Sequence, residues 1–68
     1  MNVNKNSNFL VTVGTKTQRR TFIVDVVDIV PRGDTTEYHL QNVNQDFDQR
    51  FTAAELYSHM RGGGLELL

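Results

Sequence analysis

The stretch RTFIVDVVDIV, residues 20–30, constrains this chain more than any other. Its apolar positions are β-branched or aromatic, the residue types that fit a pleated, half-buried surface. Strict alternation places Phe22, Val24 and Val26 on one face and then carries Asp28 inward after them. A carboxylate buried without a partner is costly. One extra residue near Val26–Val27 removes the conflict. Phe22, Val24 and Val26 then face the core, Val27 and Ile29 take over, and Asp25 and Asp28 both face water. The expectation is a long, bulged, bent strand, which is what a small sheet needs in order to curl or close.

The neighbouring segments supply partners for it. NFLVTVG, residues 8–14, alternates with Phe9, Val11 and Val13 on one face, and Gly14 ends it. TKTQRR follows as a polar, basic hairpin tip. Pro31, Gly33 and Asp34 mark a turn. Residues 35–43 then alternate with Thr36, Tyr38 and Leu40 inward and Glu37, His39 and Gln41 on a wet side. Asn44 and Gln45 turn the chain again, and DFDQRF sets Phe47 and Phe51 inward with Asp48 and Arg50 outward. Thr52 followed by Glu55 forms a capping box for a short helix, TAAELYSHMR, with Phe51 placed as a staple on Leu56. Gly62–Gly64 stop that helix, and LELL closes the chain as a short strand or an apolar docking tag. Residues 1–7, rich in asparagine, read as a loose tail ahead of a single domain over 8–68.

This order of elements predicts a mainly β, β-rich α+β fold. It is a small five-stranded bent antiparallel sheet or a closed barrel, with one short C-terminal helix. The strand order, the bent second strand and the residues Tyr38, Leu40, Phe51, Glu55 and Leu56 resemble the Src-homology-3-like small barrels. The likeness covers roughly residues 8–68 and implies an architecture, with no functional residue carried over.

A chain of 68 residues buries only about 60 % of its unfolded surface, so the core is small. It has no cysteine, which removes disulfides, thiolate chemistry and Cys-type zinc sites. No apolar run reaches the ~18 residues of a membrane span, and residues 1–8 lack the pattern of a secretion signal. A soluble, cytoplasmic protein without a membrane partner is expected. The net charge is −1, yet residues 1–24 hold Lys5, Lys16, Arg19 and Arg20 and no acid.

Chemistry-bearing motifs are few. Residues 44–55, NQDFDQRFTAAE, place oxygens at several positions of a calcium loop, but Gln49 stands where the sharp turn needs glycine. The helix start explains the same letters. Arg32–Asp34 spell an adhesion tripeptide that turn chemistry accounts for equally well. His39 and His59 lie far apart, and Ser58 beside His59 on a helix points elsewhere. No catalytic residue, metal site or cofactor is assigned, and the chain reads as non-enzymatic.

The functional expectation is a small binding module acting on a protein partner, in the style of the regulators and inhibitors that bacteria, phages and mobile elements encode. Its contact surface combines Lys16, Arg19 and Arg20 of the basic hairpin with Arg32, Glu37 and His39. The alternative is a nucleic-acid-binding barrel that grips phosphates with the hairpin 16–20. A homodimer through Leu65, Leu67 and Leu68 would enlarge the core.

Overall fold

A computed structural model describes residues 3–68. The elements are β1 (Asn8–Gly14), β2 (Arg19–Arg32), β3 (Thr35–Asn42), a 3-10 turn (Val43–Gln45), β4 (Phe47–Thr52), α1 (Ala53–Arg61) and β5 (Leu65–Leu67). All strand pairs are antiparallel, in one sheet ordered β4-β3-β2-β1-β5. Four consecutive strands meander, and β5 returns to the free side of β1. Among the described residues no ladder joins β4 to β5, so the sheet is open rather than closed. Helix α1 links these two edges and touches β3, β4 and β5.

The bulge stands where the alternation of β2 requires it. Val26 pairs with Leu40 and Asp28 with His39, leaving Val27 as the extra residue. Asp25 and Asp28 are exposed, and Ile29 returns to the core side opposite Tyr38. Val27 departs from expectation. It stays 36 % exposed, because the unpaired residue of a bulge has no cross-strand neighbour to cover it.

One face of the sheet carries the core: Phe9 and Val11 from β1, Val24 and Val26 from β2, Leu40 from β3, and Leu65 from β5, closed over by Leu56 of α1. Burying a side chain of this kind contributes about 1.5–3 kcal/mol. The capping box fixes where the helix begins: the Thr52 hydroxyl accepts from the Glu55 amide, and the Glu55 carboxylate accepts from the Thr52 amide at 2.8 Å. Phe51 packs against the core cluster, and its ring meets His59 edge-on at 5.2 Å.

Two other details differ from the sequence reading. Residues 4–7, expected to be loose, form a turn in which Asn6 donates to the Val26 carbonyl and Val26 donates to the Ser7 carbonyl at 2.9 Å. β1 begins opposite Asp25, so the main-chain groups of Val26 lie beyond its end, and this turn satisfies them. Residues 1 and 2 lie outside the described residues. Asp46, the first residue of the segment DFDQRF read as a strand, is instead a left-handed residue (φ 53°) closing the 3-10 turn before β4.

Candidate functional site

The outer face of β2, β3 and β4 gathers three of the six binding candidates read from the sequence, Arg32, Glu37 and His39. Cross-strand register sets the rows. Asp28 lies opposite His39, which lies opposite Arg50; Val30 lies opposite Glu37, which lies opposite Thr52; Asp25 lies opposite Gln41, which lies opposite Asp48. Glu37 forms ion pairs with two arginines, Arg32 at 3.6 Å and Arg50 at 3.9 Å. His39 Nε2 donates to Asp48 Oδ1 on the neighbouring strand. That hydrogen bond holds the Asp48 carboxyl below the usual carboxylate range, assisted by the charges of His39 and Arg50.

Arg32, Glu37 and His39 are therefore brought together. Lys16, Arg19 and Arg20 are not with them. Arg19 begins β2 and Arg32 ends it, so they lie at opposite ends of a strand whose extended length is ~40 Å at about 3.3 Å per residue. At the basic end, Arg20 folds back. Its guanidinium lies 5.2 Å from the centre of the Phe22 ring and donates to Gln45 Oε1 at 2.9 Å. Phe22 in turn meets Phe47 edge-on at 5.7 Å. Of the three C-terminal leucines, Leu65 is buried, Leu67 packs on the core and Leu68 is exposed. Two of the side chains offered to a second copy thus belong to the fold.

Asp48 and Arg50 complete the outer face and were not among the candidates read from sequence. Alternation in DFDQRF turns both outward, but nothing local to that segment tells which residues of β3 they meet. His39 does meet a carboxylate, on an open sheet face and with 17 % of its side chain exposed. His59 lies apart from it, lining a cleft of about 320 Å³ with Val11, Val13, Phe47, Gln49 and Phe51.

Compared with protein-family models, curated proteins and solved structures, the chain has no significant match. No helix among the described residues is long and apolar enough to cross a membrane.

Proposed function

We propose that the chain is a binding module that engages a protein partner through the outer face of β2, β3 and β4. The observation that carries this reading is the position of Glu37 between Arg32 and Arg50, beside the His39–Asp48 hydrogen bond. Side chains already held by neighbours have less rotamer freedom to lose when a partner arrives. Interleaved charges of both signs fix the register of a protein surface laid over them. A phosphate backbone asks for something else, a set of unopposed cations. On this face each arginine stands near a carboxylate, and at the far tip Arg20 is engaged by Phe22 and Gln45.

The test compares two surface variants. Glu37→Arg reverses the centre of the face, and the pair Lys16→Ala with Arg19→Ala strips the tip. Chemical cross-linking in the native host should capture a protein that survives nuclease treatment, is retained by the tip variant and is lost with Glu37→Arg. Steeply salt-dependent binding of a labelled single-stranded oligonucleotide, abolished by the tip substitutions, would overturn the reading in favour of nucleic acid.

A further inference from the structure

Strand β4 ends the sheet, and its outer main-chain groups can be identified. The Thr12 amide donates to the Gly64 carbonyl and the Asn8 carbonyl accepts from the Leu68 amide. Even-numbered residues of β1 thus turn their main-chain groups towards β5, and odd ones towards β2. Phe9 pairs with Val24, so Val24 points at β1, and Ile23 and Asp25 point at β3. The Ile23 carbonyl accepts there from the Asn42 side chain at 2.6 Å. Asp25 pairs with Gln41, which turns Leu40 and Asn42 towards β4. Their partners Gln49 and Phe47 therefore point back at β3. The amides and carbonyls of Asp48 and Arg50 are left on the open edge.

An open edge of this kind pairs with another strand unless something prevents it. Charges of one sign would do so, but this edge carries one acid and one base, equally spaced about Gln49. The geometry points to a second copy of this chain as its partner, joined antiparallel through β4 about a two-fold axis at Gln49. In that register Asp48 lies opposite Arg50 of the second copy, and Arg50 opposite its Asp48. Both pairs are of the hydrogen-bonded type, in which opposite residues exchange N–H···O bonds, the type for which the free main-chain groups are placed.

On the inner face, Phe47 comes opposite Phe51 of the second copy, extending the apolar cleft that both residues line. A slip of two residues either way sets Arg50 against Arg50 or Asp48 against Asp48, so one register is selected. Asp48 and Arg50 side chains remain 56 % and 60 % exposed, leaving each free for a second partner. The other edge offers no such match. A two-fold pairing of β5 about its centre would oppose Glu66 to Glu66. The inference is independent of the protein-partner reading, since edge pairing leaves the outer face of both copies open.

Sedimentation against concentration tests it. The wild type should reach twice the 7.8 kDa of one chain, with the association weakened by salt. Asp48→Arg and Arg50→Asp should each remain monomeric, and an equimolar mixture of the two should form a heterodimer. Arg50→Asp keeps the His39–Asp48 bond, so it decides the matter if Asp48→Arg does not fold. Amide hydrogen exchange in the wild type gives an independent reading: Asp48 and Arg50 should gain protection with concentration while Phe47, Gln49 and Phe51 do not change. A wild type that stays monomeric at millimolar concentration, or a dimer indifferent to both charge reversals, overturns the inference.

Discussion

His39 on β3 and Asp48 on β4 are diagonal neighbours across the outer face, joined through Nε2 and Oδ1. The bond draws the carboxylate's proton affinity down. A carboxyl whose folded pKa lies below its unfolded value of about 3.9 adds stability above that value. The contribution disappears as pH falls through the folded pKa. Asp48→Asn should therefore melt at a midpoint that depends less on pH below about 4 than the wild type does. An NMR titration should place the Asp48 midpoint under the ordinary carboxylate value. Equal acid sensitivity in both proteins would contradict the role assigned to this bond.

The helix is held to the sheet by one fully buried side chain, Leu56. Leu56→Ala should cost about 2–5 kcal/mol, the range for emptying a well-packed site. For a domain this small that is a large share of its total stability. Urea denaturation should show a much lower midpoint or no cooperative transition. Tyr57→Ala, at an exposed neighbouring position, should lie within roughly 0.5 kcal/mol of wild type.

Two glycines should respond differently. Gly14 has φ +105°, and a Cβ there would collide with the Gln18 carbonyl that closes the β1–β2 hairpin. Gly14→Ala should destabilise by more than about 1 kcal/mol. Gly33, first of the two residues linking β2 to β3, has φ +62° with open space around it. Gly33→Asn, a residue that tolerates the left-handed region, should leave the thermal midpoint within a few degrees.

At the start of α1, Thr52→Ala removes the hydroxyl that accepts from Glu55 and should cost about 1 kcal/mol. The Thr52 amide holds the Glu55 carboxyl below its usual range, so this contribution also fades in acid. Glu55→Gln should lose less than Thr52→Ala, because an amide oxygen still accepts from the Thr52 N–H. Denaturation curves of the two variants at neutral pH check the order.

The long strand, its bulge, the hairpin turns and the helix cap were legible in the chain of residues. Each is a local matter, in which neighbours two to four positions apart share a face or a main-chain group. The exposure of Val27 was not legible there, because alternation gives direction only and coverage depends on what lies opposite. The sequence by itself thus determined which side of each strand is apolar and where the helix begins.

Tertiary structure alone decided that β5 pairs with β1, that residues 4–7 strap the bulge, and that β4 remains an edge. It also decided that Glu37 lies between two arginines and Asp48 beside His39. The physical reason is that strand partners are chosen by how the whole core closes. Polar groups distant in sequence meet only as a consequence of the register that closure imposes.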